Sequence, residues 1–215
     1  GGNEVRGGAP TAHAQTGGAP YPSKPVHIVV GFAPGGGADI VGRMTAQKLT
    51  EAIGQTFLVE NRPGASATIA TGQVAKAAPD GYTLIIGIPT SHSVLPVLRH
   101  DLTYDALRDF TPISMLARVP QLLAVHPSLP VKSVADLIKL AKTQPGKLTF
   151  GSGGIGTPPH MAGELFQQLT GVKFLHVSYK GEAPAITEVI GGQISLIFGG
   201  IAATLPHVQA SRLRG

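Results

Sequence analysis

Two glycine-rich bends constrain this chain more than any other feature, because each stands between a strand-like apolar run and a stretch of helical spacing. The first, "GFAPGGGAD" at 31–39, follows "VHIVV" and leads into Ile40, Val41, Met44, Leu49, Ala52 and Ile53, with Gly54 where a helix C′ glycine belongs. The second, "GSGGIG" at 151–156, follows "KLTF" and leads into Met161, Leu165 and Leu169, with Gly171 as terminator. Strand, loop and helix in that order build parallel sheets with right-handed crossovers, and ligands of such sheets lie at the carboxyl ends of the strands.

The rest of the chain repeats the pattern. "TFLVEN" reads as a strand, 67–77 as a helix, Pro79-Asp80-Gly81 as a turn and "YTLIIGI" as a strand, which makes βαβαβ with the first unit. After a polar crossing at 101–109, "PISMLA" and "QLLAVHP" read as strands, and Ser133 with Asp136 opens the helix "SVADLIKLAK", which ends at Pro145-Gly146. "KLTFGS", the helix after the second bend, "KFLHVSY", the helix "PAITEVIGG", the strand "QISLIFG" and a helix over 202–209 complete a second series. Two such series predict two α/β lobes with a cleft between them.

Composition narrows the function classes. Hydrophobic residues at 42% against 13% charged ones give a chain with enough apolar surface to fold, and 29 Gly with 18 Pro demand many tight turns. The net charge of +5 and a pI near 9.6 favour anionic partners. Lys and Arg are scattered, however, and nucleic-acid binding needs a basic stripe, so none is expected. The absence of cysteine excludes disulfides, thiolate metal sites and Cys nucleophiles. No apolar run approaches the ~18 residues of a membrane span. The first 20 residues read as a disordered leader, in which Ala12-His13-Ala14 before Gln15 has the small-x-small form of an export cleavage site without an apolar stretch upstream.

Both bends leave backbone N–H groups free to meet an anion at a helix N-terminus. The first is no Walker A loop, since Ala38 and Asp39 follow Gly37; a tight turn with Asp39 capping the helix is the plainer alternative. The second satisfies G-x-G-x-x-G, but Thr157-Pro158-Pro159 delays its helix, and "FLHVSYKG" supplies no acid for a ribose, so no dinucleotide cofactor is expected. What remains is an anion site of backbone amides with the Ser152 and Thr157 hydroxyls, and His160 one turn inside the helix. Tyr179 reads equally as a strand end or as a cleft residue.

Catalytic patterns are weak. No H-x-x-x-H or H-E-x-x-H spacing occurs among the eight histidines, so no metal is expected. Ser152 is the one plausible nucleophile, yet Phe150 occupies the first glycine of G-x-S-x-G. An α/β hydrolase using Ser152 is the alternative from another class.

The blocks "YPSKPVHIVVGFAPGGGADIVGR", "VENRPGASATIATGQVAKAAPDGYTL", "VHPSLPVKSVADLIKLAKTQPGKLTFGSGGIGTPPHMAGELF" and "HVSYKGEAPAITEVIGGQISLIF", in this order, resemble the Bug-type substrate-binding proteins of tripartite tricarboxylate transporters. The resemblance covers Tyr21 to the end. It implies a monomeric, non-enzymatic, exported protein of the periplasmic type 2 binding fold, whose lobes close on a small carboxylate and present it to membrane transporter subunits or, in a sensory variant, to a signalling receptor. It assigns ligand contacts to Phe32, Ala33, Gly36, Gly37, Ala38 and Asp39, to Ser152, Gly154, Ile155, Gly156, Thr157 and His160, and to Thr90 and Ser91 within Ile88–His92. Residues 21–105 with 206–215 then form the first lobe, incomplete because family members run on further, and 106–205 form the second. Where relatives often carry an acid or amide, "FGGIA" places Gly199 and Gly200, which points to a plain di-, tricarboxylic or aromatic acid and not an amino acid.

Overall fold

The computed structural model describes residues 20–215, so the leader and its export-site reading lie outside the described residues. A first sheet of order β2-β1-β3 joins β1 (Val26–Val30), β2 (Phe57–Asn61) and β3 (Thr83–Ile85), all parallel. Between them run α1 (Gly37–Ile53), a tight turn at Ala65–Ala67 and α2 (Thr68–Ala75). β1 is buried almost throughout and packs with Ala46 and Phe57, as a parallel strand covered by helices must. A wide turn over Thr90–Val94 and the short α3 (Leu95–Leu98) close this lobe.

The second sheet has order β4-β7-β5-β6, from β4 (Gln121–Val125), β5 (Thr149–Ser152), β6 (Leu175–Ser178) and β7 (Leu196–Gly200). β5 is parallel to β6 and β7, whereas β4 is antiparallel to β7. β4 enters from an irregular crossing and not from a helix, so no crossover fixes its direction. One face carries α4 (Val134–Thr143) and α5 (Pro158–Thr170) over Leu137, Phe150, Phe174 and Phe198; the other carries α6 (Glu182–Ile190) and α7 (Ile201–Gln209) over Ala185, Val189 and Ile197. Both caps expected from glycine are present: Gly54 and Gly171 end α1 and α5 in the left-handed region, at φ 77° and 70°.

The Ser133 start is also present. Its hydroxyl accepts the Asp136 N–H at 3.1 Å, while Asp136 reaches back to the Lys132 N–H. Ser133→Ala is expected to cost about 1 kcal/mol of stability, read from urea unfolding by circular dichroism.

Three expectations are corrected. "PISMLA" forms no strand: β4 pairs with β7, no strand among the described residues pairs with 112–117, and Ile113 and Met115 stay exposed. Residues 206–215 do not join the first lobe. Arg214 bridges Val125 with N–H···O contacts of 2.8 and 3.0 Å, Leu213 is buried among Ala124 and Ile197, and the Arg214 guanidinium holds the Leu129, Val131 and Pro127 carbonyls. The exposed N–H and C=O groups of the β4 edge find their partner there. The boundary also lies later than 105, since Phe110 packs edge-on against His92 and Tyr104 of the first lobe.

Candidate functional site

The carboxyl ends of β1, β2, β5 and β6 face one another across a cleft of about 730 Å³. Three βα bends form its walls: Phe32 after β1, Gly64-Ala65-Ser66 after β2 and Gly153-Gly154-Ile155 after β5. Leu95, Leu98 and Arg99 close it from α3, and Ser178, Tyr179 and Lys180 from the end of β6.

The wall after β2 is conformationally costly. Ala65, Ser66 and Ala67 are all left-handed, at φ 46°, 54° and 73°. Each such non-glycine residue costs on the order of 1 kcal/mol, and strain of this kind is concentrated at functional sites. The opposite wall meets it directly: a Cβ on Gly154, itself at φ 131°, would lie 2.5 Å from Ser66 Oγ. Only glycine lets the two lobes approach here.

The second bend is held from below. Ser152 Oγ accepts the Gly154 N–H at 3.1 Å and bonds His176 Nε2 at 2.7 Å, and Thr157 Oγ1 donates to the Gly154 carbonyl at 2.6 Å. His160 Nδ1 accepts the Gly156 N–H at 3.3 Å, and its Nε2 faces Glu164 Oε1 at 3.8 Å. Burial, with the nearby His160, holds His176 below the usual imidazole range. This network fixes the shape of the 153–155 backbone and spends the side chains of Ser152, Thr157 and His160 in doing so.

The first bend behaves differently from the sequence reading. Of its residues only Phe32 lines the cleft. The Ala33 N–H donates to the Lys180 carbonyl at 3.2 Å, the Gly35 N–H to Asp39 at 2.9 Å and the Gly37 N–H to Glu182 at 3.1 Å. Ala33, Gly36, Gly37, Ala38 and Asp39 therefore lie off the cavity wall, and Ala33 and Gly37 tie the lobes together. Asp39 is 3% exposed and anchors the turn, taking Arg43 Nε at 2.9 Å and Asn61 Nδ2 at 2.8 Å. Thr90 and Ser91 are buried beneath α3, with the Ser91 carbonyl accepting the Tyr104 hydroxyl, and do not reach the cleft. Thus Phe32, Gly154, Ile155 and Tyr179 are brought together, Ser152, Gly156, Thr157 and His160 support them, and the rest serve elsewhere.

Burial raises the Asp39 pKa, but the bonds from Arg43, Gly35 and Asn61 outweigh it and leave the carboxyl below its ordinary 3.8. A depressed folded pKa stabilises fully above the unfolded value. Its contribution is expected to persist above pH 3.8 and to vanish as pH falls through the lower folded value. The stability difference between wild type and Asp39→Asn, followed by urea midpoints from pH 6 downward, should therefore close under acid.

Sequence reasoning missed Gly64–Ser66, Leu95, Leu98 and Arg99, and passed over Gly153, Ser178 and Lys180. "RPGAS" follows a strand and precedes a helix, as the other two bends do, and that position was its signal.

Two α/β lobes joined across a cleft walled by βα bends define the architecture of the two-lobed solute-binding proteins. The model of the tripartite tricarboxylate transporter family receptors matches residues 41–215, and the chain belongs to this family, as the Bug-type resemblance implied. The chain is 35% identical to protein BugT of Bordetella pertussis over 90% of its length and 60% of that protein's. A Rhodopseudomonas palustris protein solved with adipate, Rpa4515, superposes with TM-score 0.88 at 41% identity, over 90% of this chain and 65% of that one. MatC of Rhodopseudomonas palustris with bound malate gives 0.84 at 30% identity, over 90% and 66%. The chain thus spans about 60–66% of the length of these relatives.

Proposed function

We propose that this chain forms the ligand-holding part of an extracytoplasmic receptor that captures a small carboxylate in the interlobe cleft and passes it to membrane transporter subunits. The observation that carries the reading is the cleft's charge pattern. Arg99 and Lys180 stand on its wall with Ser66, Ser178 and Tyr179, and no Asp or Glu lines it among the described residues. Ala65-Ser66 and Gly153–Ile155 converge there from opposite lobes, which is a fit for an anion held by backbone and cation together. The adipate and malate of the two relatives belong to the same ligand class. With leucines on one wall, a dicarboxylate with a short apolar spacer or an aromatic acid fits better than a citrate-like triacid. Among the described residues no helix is long and apolar enough to cross a membrane, in keeping with a receptor that docks on its membrane partners.

Calorimetric titration of the chain with C4–C6 dicarboxylates, tricarboxylates and aromatic acids, beside their amides, tests this. Saturable binding of one acid and none of its amide is expected; no heat from any acid would refute it. The contact of Ser152 with His176 favours a hydrolase, but Ser152 is 0% exposed beneath its loop. Ester turnover by wild type, lost in Ser152→Ala, would favour the enzyme.

A further inference from the structure

Glu182 is a part-buried acid without a cation. It opens α6 in the second lobe, and among the described residues it forms no ion pair. One oxygen, Oε2, accepts the Gly37 N–H of α1 at 3.1 Å, across the lobe boundary; the other, Oε1, accepts the N–H of Gly200, the N-cap of α7. The carboxylate therefore sits on two helix N-termini at once, where partial positive charge and unpaired N–H groups take the place of a cation. Missing side chains make the room. A Cβ on Gly199 or Gly200 would stand 3.1 or 3.2 Å from Oε1, and one on Gly37 would stand 3.4 Å from Oε2. Val119 closes the space from the crossing segment, near both Gly37 and Gly200. Burial pushes the Glu182 carboxyl above its ordinary range, against the two N–H bonds that favour its charge.

We propose that Glu182 is a built-in anion: its carboxylate takes the place on α1 that an external anion would occupy and clasps the two lobes through it. The α7 contact lies within the second lobe and survives opening of the cleft, whereas the α1 contact must break. Glu182 thereby favours the closed arrangement. It also explains why the first glycine-rich bend does not face the cavity, and it leaves Ala65-Ser66 and Gly153–Ile155 as the surfaces that meet a ligand, a last point that rests on the function proposed above.

The clasp is tested without ligand. Glu182→Ala is expected to lower the melting temperature by about 4 °C and to enlarge the radius of gyration in small-angle scattering. Formate, a carboxylate small enough for the vacated space, should recover part of both losses in Glu182→Ala and change neither in wild type, which a merely structural role would not produce. Glu182→Gln keeps the shape without the charge and should open the cleft while circular dichroism stays native, so the test holds even where the alanine variant fails to fold. A Glu182→Gln chain with wild-type melting and radius would overturn the clasp, as would a folded alanine variant indifferent to formate. Failure of wild type to bind any acid would sink the carboxylate reading and leave the clasp standing, so the two failures are distinguishable.

Discussion

Phe150→Ala is expected to lower the unfolding free energy by about 3–5 kcal/mol. Phe150 is 0% exposed and lies in the middle of an aromatic cluster, with ring centroids 4.8 Å from His176, 6.3 Å from Phe174 and 6.4 Å from His160 and Phe198. Gly163 of α5 presses on the same ring: a Cβ there would fall 2.3 Å from it. The site cannot easily collapse, because strands and helix backbone surround it, so the transfer cost and the cavity cost add. Against a typical total of about 5–15 kcal/mol, this loss is about a fifth or more. The cavity also frees His176, which holds Ser152 under the second bend, so ligand affinity should fall along with stability. Urea unfolding by circular dichroism measures the first effect; a loss below about 1 kcal/mol would contradict this description of the core.

Lys180→Ala is expected to weaken binding of the best carboxylate about tenfold, and the Lys180→Ala, Arg99→Ala double variant more than that. Lys180 carries the larger share because it forms no ion pair among the described residues, whereas Arg99 is already held by Asp101 through contacts of 2.9 and 2.6 Å. Both side chains are exposed, so their attraction for an anion is screened until the lobes exclude water around it. Calorimetry at low and high salt separates the parts: wild-type affinity should fall with added salt, and the double variant should lose most of that dependence. Equal affinities of wild type and double variant would remove the cations from the site.

The sequence was legible where a residue's local chemistry decides the outcome. Gly54, Gly171 and the Ser133–Asp136 pair act within one helical turn, and the apolar runs of β1, β5 and β7 have to be buried wherever they occur. It was less legible where a partner distant in sequence decides. "PISMLA" alternates as a strand does, yet pairing needs a neighbour, and none of the described strands supplies one. Arg214 joins the second sheet because the β4 edge is open there, a fact that no pattern near residue 214 records. The same distinction divides the site. The second bend could be read because its glycines face the cleft from their own βα junction. The first looked equivalent, but Glu182, 145 residues away, takes its Gly37 N–H. In the left-handed run Ala65–Ala67 only the preceding Gly64 marks the bend, so the strain of the wall after β2 was hidden behind ordinary residues.

The most direct measurement follows backbone amides by NMR while the acid that binds best in calorimetry is added. The amides of Ala65, Ser66, Gly153, Gly154 and Ile155 should shift together along one saturation curve, since a single carboxylate between the lobes touches both bends. The amides of Gly37 and Gly200, bonded to Glu182, should move far less. Shifts confined to one lobe, or largest at Gly37, would contradict the account: the acid would then sit on one bend alone or displace Glu182 from α1.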